Sequence, residues 1–196
     1  MNDAAAEGAP DPAATGPRLG VESMTWRRSS RDAWERSCYG ARVSGRARAL
    51  FLDWGGTLAV TRDNRTVVDA DGDPVLAPGV AKVIARERPR VDACFIVSNQ
   101  ARISRGGISE VEVLRRFGWA NERLGRPFTD WRLCPHGDED GCACRKPKPG
   151  MFLDLGRAWD LDLGRSTHVG DSVKDRDAAI AAGIGTFVWA RDFFGW

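Results

Sequence analysis

The 196-residue chain has no apolar run approaching the ~20 residues that cross a membrane, and its N-terminal stretch of acids, Ala, Pro and Gly does not read as a secretory signal. With neither signal nor span, the expected location is the cytoplasm and no membrane partner is expected. Lysine is scarce, at Lys82, Lys146, Lys148 and Lys174 only, so the basic side is nearly all Arg. Acids interleave with it, the net charge is +2 and no long basic run appears, so nucleic acid is not the expected partner. The five cysteines are an odd count, which argues against a disulfide scaffold in a chain without a signal. What the chain does have is 42% hydrophobic residues, enough for a core, and a length suited to one domain plus an appendage.

The appendage is expected at the N-terminus. Residues 1 to about 20 are too poor in apolar side chains to offset chain entropy and read as disordered. Residues 21 to 46 hold Trp26, Trp34, Tyr39 and Cys38 among many charges, and two readings stand: a short helix packed on the domain, or a translation start at Met24. Residues 1–45 are thus an extension and 46–196 the folded domain.

In the domain, Ala47 to Asp53 reads as a buried strand running into a Gly-Gly turn. Thr61 to Pro78, with its Asp-Asn and Asp-Gly-Asp signals, reads as a small hairpin or flap. A helix is expected over Val80–Arg88, a buried strand over Ala93–Ser98, and an amphipathic helix over Ser109–Leu124 capped by Ser109. Further strands are expected at Trp131–Leu133, Thr167–Val169 and Thr186–Ala190. Helices are expected at Gly150–Trp159 and at Asp175–Ala182, the latter ended by Gly183. Strands alternating with helices predict an α/β, Rossmann-like three-layer sandwich around a parallel sheet. Ligands of such sheets sit at the carboxyl ends of the strands, and three of those ends carry Asp53, Ser98 and Asp171.

The residues around those ends fit phosphoryl chemistry. An Asp can be a covalent nucleophile, the Ser98 hydroxyl can hold a phosphoryl oxygen, and Arg145 and Lys146 supply positive charge to a transferring group. Asp171 and Asp175 offer carboxylates for Mg²⁺, a hard cation bound through one or two carboxylates with waters and phosphate oxygens. Between strand ends lies Cys134-Pro-His136 and Cys142-Ala-Cys144, a Cys₃His set in one loop. Four closed protein ligands make a structural Zn²⁺ site, and a long polar loop needs such a clip to be ordered. His168 reads as a core histidine in preference to a catalytic base, Cys94 as a core hydrophobe, and Phe193-Phe194-Gly195-Trp196 as a tail packed on the sheet edge in preference to a dimer contact.

In this order, FLDWGGTL, FIVSNQ, CRKPKPGM and HVGDSVKD resemble the four signature segments of haloacid-dehalogenase (HAD) superfamily phosphatases, across residues 50 to 190. The short segment between the first two leaves no room for a large cap. This is similar to the cap-less subgroup that includes histidinol-phosphate and heptose-bisphosphate phosphatases, whose zinc loop has the same C-x-H…C-x-C-R-K-P form. The resemblance implies Asp53 as nucleophile, Ser98 and Lys146 as catalytic partners, and Asn99, Gln100, Arg105 and Arg145 as substrate contacts. It also implies Mg²⁺ on Asp53, the Gly55 backbone carbonyl and Asp171, with Asp175 in support. The substrate implied is a small phosphate ester, of sugar-phosphate or histidinol-phosphate type, handled by a monomer.

One position departs from the family pattern. The residue two after the nucleophile is ordinarily an Asp that protonates the leaving oxygen and then activates water; here it is Gly55. Gly keeps the carbonyl for the metal but lacks the general acid/base, a group worth roughly 10²–10⁴-fold in rate. The reading is therefore a slow phosphatase, with two alternatives: a pseudophosphatase that binds a phosphorylated ligand or partner, and a nucleic-acid 3′-phosphatase.

Overall fold

The computed structural model describes residues 46–196. The expectations for residues 1–45, including Met24 and Cys38, lie outside the described residues.

Five parallel strands form the central sheet in the order β5-β4-β1-β6-β7: β1 Ala49–Leu52, β4 Ala93–Asn99, β5 Asp130–Cys134, β6 Thr167–Gly170 and β7 Thr186–Trp189. Because successive side chains of a strand point to opposite faces, β1 feeds two cores at once. Leu50 and Leu52 join Cys94, Ile96 and Val169 on one face. There α1 (Val80–Glu87) contributes Val80, Val83 and Ile84, and α2 (Glu110–Arg123) contributes Val113, Phe117 and Ala120. Ala49 and Phe51 join Phe95 and Val97 on the other face, against Met151, Phe152 and Leu155 of α3 (Gly150–Ala158) and Ala178 and Ala179 of α4 (Val173–Ala181). Phe51 stacks on Phe95 and meets Phe152 edge-on, both at 5.3 Å. Burying one such ring stabilises the fold by about 1.5–3 kcal/mol.

This is the expected three-layer sandwich. Between β1 and β4 stand only a two-residue-strand hairpin, β2 (Thr61–Arg62) with β3 (Arg65–Thr66), a loop and α1, so no large cap is built there. Asp63 and Asn64 turn the hairpin with φ of 51° and 57°, the left-handed pair a tight hairpin turn requires. Trp54 fastens it, its indole Nε1 donating to Thr66 Oγ1 at 3.1 Å while the ring packs on Phe117.

Apart from single-residue shifts at other element ends, three features differ from the sequence reading. The first strand is shorter: Ala47 makes a single bridge to Leu161 before the ladder begins at Ala49. Helix α4 begins at Val173 rather than Asp175, because Ser172 and Asp175 form a reciprocal capping box. The aromatic tail packs at the β7 edge as expected, but folds there as a short helix, α5 (Ala190–Phe194). Phe194 enters the core beside α1, Trp196 stacks on it at 5.3 Å, and the Trp196 indole donates to the Pro78 carbonyl at 2.6 Å. Ser109 caps α2 as expected, accepting from the Glu112 amide. No helix among the described residues is long and apolar enough to cross a membrane.

Candidate active site

The carboxyl ends of β1, β4 and β6 converge with the N-terminus of α4. Asp53 follows β1 directly, its amide held by the Val169 carbonyl at 2.9 Å. Asp171 follows β6, and Asp175 sits one turn into α4. One carboxylate oxygen from each of the three lies within 4.8 Å of the others. Two glycines make this approach possible. A Cβ on Gly56, whose φ is +72°, would stand 2.0 Å from Asp171 Oδ2, and one on Gly170 would stand 2.4 Å from Asp175 Cβ.

Lys146 reaches into the cluster from the loop after the cysteines. Its buried ammonium donates to Asp53 Oδ1 and Asp175 Oδ1, both at 2.5 Å, and to the Val97 carbonyl at 2.9 Å, which uses all three of its hydrogens. Asn99 fixes the backbone of that lysine at both ends: its side-chain amide accepts from Lys146 N at 3.0 Å and donates to Lys146 O at 2.9 Å. Sequence reasoning gave Asn99 only as a substrate contact. Its clamp on Lys146 comes from residues 47 positions apart, which no local pattern reveals.

Burial pushes the Asp53 carboxyl up to about 7, against the pull of Lys146 and with further push from Asp175 and Asp171. Asp175 is also buried, yet the Lys146 ammonium holds it below the usual carboxylate range. Burial and the Asp175 charge together raise Asp171. Burial works against the Lys146 charge, but Asp53 and Asp175 outweigh it and hold the ammonium charged. With all three ionised, the carboxylates around one ammonium leave two negative charges uncompensated. A divalent cation meets that deficit, and the all-oxygen donor set suits Mg²⁺.

The remaining expected residues fall at varying distance from this cluster. Ser98 is buried at the end of β4, its hydroxyl accepting from Gln100 Nε2 at 2.9 Å. Arg145 is drawn toward the cysteine loop, donating to Asp138 at 2.6 Å and to the His136 carbonyl at 3.1 Å. Arg105 stands exposed in the turn after β4 and makes no hydrogen bond or ion pair among the described residues. Gly55 lies beside Asp53 with Thr61 Cγ2 3.1 Å from where its Cβ would be. Two further buried polar groups lie outside the expected set of site residues. His168 is a core histidine as expected, against Phe152 at 4.8 Å, but its ring also lies 3.2 Å from the Phe51 carbonyl and 3.5 Å from Asp175 Oδ1. A neutral ring has one N–H for those two acceptors, and burial keeps it neutral. The Thr57 hydroxyl is buried with no hydrogen-bond partner among the described residues.

The cysteine loop gathers its four groups into one knot. Cys144 Sγ lies 3.3 Å from Cys134, 3.4 Å from His136 Nδ1 and 3.5 Å from Cys142, and Cys134 lies 3.6 Å from both His136 Nδ1 and Cys142. Edges of that length enclose a centre about 2.1 Å from each corner, which fits tetrahedral Zn²⁺ with thiolate and imidazole ligands. Lys148 closes the loop from outside, donating to the Gly141 and Cys142 carbonyls at 3.0 and 2.7 Å. Cys94 stands apart from this knot: it is sealed in the core and its thiol is pushed up to about 12 by burial.

Comparison with known proteins places this geometry among hydrolases. A model of the haloacid dehalogenase-like hydrolases matches residues 4–183. The D-glycero-beta-D-manno-heptose-1,7-bisphosphate 7-phosphatase of Bordetella bronchiseptica is 34% identical over 140 residues, covering 69% of this chain and 76% of that protein. The phosphatase of the same name from Vibrio cholerae is 35% identical over 153 residues, covering 73% and 81%. Among solved structures, the B. bronchiseptica D,D-heptose 1,7-bisphosphate phosphatase complexed with magnesium and phosphate superposes with a TM-score of 0.64 at 31% identity, covering 71% of this chain and 78% of that one. A HAD-like phosphatase from Mesorhizobium loti gives 0.61 at 32%, covering 74% and 73%. The chain belongs to the haloacid dehalogenase-like hydrolases.

Proposed function

We propose that this protein is a Mg²⁺-dependent phosphomonoesterase that works through an aspartyl-phosphate on Asp53 and acts on a small phosphorylated sugar. The observation that carries the reading is the cluster of Asp53, Asp171 and Asp175 around the buried Lys146 ammonium. Asp53, Asp171 and the Gly55 carbonyl would hold Mg²⁺, with Asp175 in support. When bound, the cation supplies positive charge to the phosphoryl oxygens. The chain's own part begins with Lys146, which fixes Asp53 through Oδ1; Oδ2 has no hydrogen-bond partner among the described residues. A carboxylate oxygen of Asp53 attacks phosphorus, the bond to the leaving oxygen breaks, and that oxygen keeps the electron pair. Water then attacks the aspartyl-phosphate, releasing phosphate and the free carboxylate. Ser98 is suited to hold a phosphoryl oxygen throughout. The cysteine loop, closed on Zn²⁺ by Cys134, His136, Cys142 and Cys144, sets the start of the Arg145-Lys146 segment. The names of the relatives support a sugar bisphosphate as the substrate type.

Gly55 favours a second reading, a protein that binds phosphorylated ligands without turnover, since no side chain at that position can move a proton. Incubation with an aryl phosphate and Mg²⁺, followed by intact mass measurement, separates the two. The phosphatase reading predicts an adduct of one phosphoryl group on Asp53; no adduct and no released phosphate with every ester tried leaves binding alone.

A further inference from the structure

Beside the carboxylates, on the β7 side, lies a cavity of about 330 Å³ lined by Gly56, Asp171, Trp189, Ala190, Arg191 and Trp196. The volume is at the lower end of the range for small-ligand pockets. Its floor belongs to the site already described, since the Gly56 backbone passes against Asp171. Its walls come from a segment to which the chemistry gave no role. Trp189 ends β7 in register with Gly170, which brings its indole next to the Asp171 turn, and Phe187 props the ring edge-on at 5.0 Å. Trp196 is 47% exposed, an unusual place for an indole, yet it is fixed from several sides. It stacks on Phe194, its Nε1 donates to Pro78 O, and its amide donates to the Arg191 carbonyl. Holding a large apolar face rigid and open to solvent costs free energy, which a bound apolar face recovers. Among the described residues the Arg191 side chain, between the two indoles in sequence, has only a 3.6 Å contact with the neighbouring Asp192, and both of those side chains are largely exposed. Such a pair holds a guanidinium weakly, so the cation is available to a ligand anion, for which its planar fork is suited.

We propose that this cavity is the subsite for the leaving group: the Trp189 and Trp196 indoles face a ring of the substrate, and Arg191 engages a second anionic group carried by that ring. The inference rests on the phosphatase reading for where the transferred phosphate sits, at the carboxylate end of the cavity. It adds what selects the remainder of the molecule. A chain without a large cap has few surfaces that reach a leaving group, and the β7–α5 (Ala190–Phe194) segment is one that adjoins Asp171.

The test is binding without turnover. The full chain carrying Asp53→Asn, which removes the attacking carboxylate and keeps esters whole, is titrated by calorimetry in Mg²⁺. Glucose 1,6-bisphosphate should bind at least ~10-fold tighter than glucose 6-phosphate, the size of one added charge-assisted contact. Adding Arg191→Ala should reduce that preference to below about threefold. Arg191 is exposed, so this variant is expected to fold. Equal affinities in the parent, or a preference that survives Arg191→Ala, overturns the assignment. The ring is read separately, by comparing methyl phosphate with phenyl phosphate and with glucose 6-phosphate, with and without Trp196→Ala. A gain for phenyl phosphate that Trp196→Ala removes assigns an aromatic ring, and the same behaviour for glucose 6-phosphate assigns a sugar face. No gain for either overturns the ring contact. The phosphatase reading stands or falls on the phosphoenzyme of the unsubstituted chain, so the two failures are distinguishable.

Discussion

At the scale of single residues, Gly55 and Lys146 decide most of the chemistry. On the proposed mechanism, position 55 offers no proton donor to an alkoxide leaving group and no base to the water that attacks the aspartyl-phosphate. Aryl phosphates, whose leaving group departs unprotonated, should give a burst followed by slow turnover. Gly55→Asp should raise steady-state kcat, more for alkyl than for aryl phosphates. The backbone there is not left-handed, and the tightest neighbour is the Thr61 methyl at 3.1 Å on an exposed hairpin that can yield by a few tenths of an ångström. Equal gains on both ester classes would mean the new carboxylate is not acting on the leaving group. Lys146→Ala leaves Asp53 and Asp175 buried without their counter-charge, a change that costs about 3–5 kcal/mol. It should lower Tm as well as reduce kcat/KM by at least ~10-fold. Lys148→Ala loses only carbonyl contacts to the cysteine loop, and a matched loss of kcat/KM in the two variants would contradict a charge-neutralising role peculiar to Lys146.

At the scale of elements, the parallel sheet and its helices were legible because β1 and β4 are apolar runs, Ser109 caps α2 and Gly183 follows α4. Asp53, Ser98 and Asp171 were legible for the same reason, since strand ends define where ligands of such sheets sit. The contacts that tie elements together were not. The Asn99 clamp on Lys146 joins β4 to a loop far along the chain, and Asp175 was legible as a carboxylate but not as the group shared by Lys146, His168 and the cap of α4 (Val173–Ala181). Helix α5 was missed because a run of aromatics gives no helical period over five residues, and tertiary contacts with Pro78 and α1 (Val80–Glu87) decide its shape. The capping box makes a prediction. Ser172→Ala removes the hydroxyl partner of Asp175 and the acceptor for its amide, so it should cost about 1 kcal/mol of stability and also slow turnover by loosening the carboxylate that holds Lys146. The cysteine loop makes another: about one Zn²⁺ per chain by elemental analysis, with Tm falling on chelation and in Cys142→Ser/Cys144→Ser. A metal-free preparation with an unchanged Tm would contradict the structural-zinc assignment.

At the scale of the whole molecule, the sheet order puts β1 at the centre, so the residue following it is held from both sides by β4 and β6. The proposed attack of this carboxylate on phosphorus in one geometry needs that rigidity. The negative charge left over after Lys146 makes the folded molecule a better Mg²⁺ ligand than the unfolded chain, so Mg²⁺ should raise Tm by mass action, and Asp171→Ala should abolish the rise. A rise that persists in that variant would put the metal elsewhere. Whether Asp53 is the nucleophile at the head of this cluster is decided by mass spectrometry of the chain quenched during turnover of an aryl phosphate with Mg²⁺. A nucleophilic Asp53 predicts a single phosphoryl adduct that maps to that residue, builds up in the native chain and is depleted in Gly55→Asp. Steady hydrolysis with no adduct on Asp53, in either chain, and undiminished in Asp53→Asn, would contradict it.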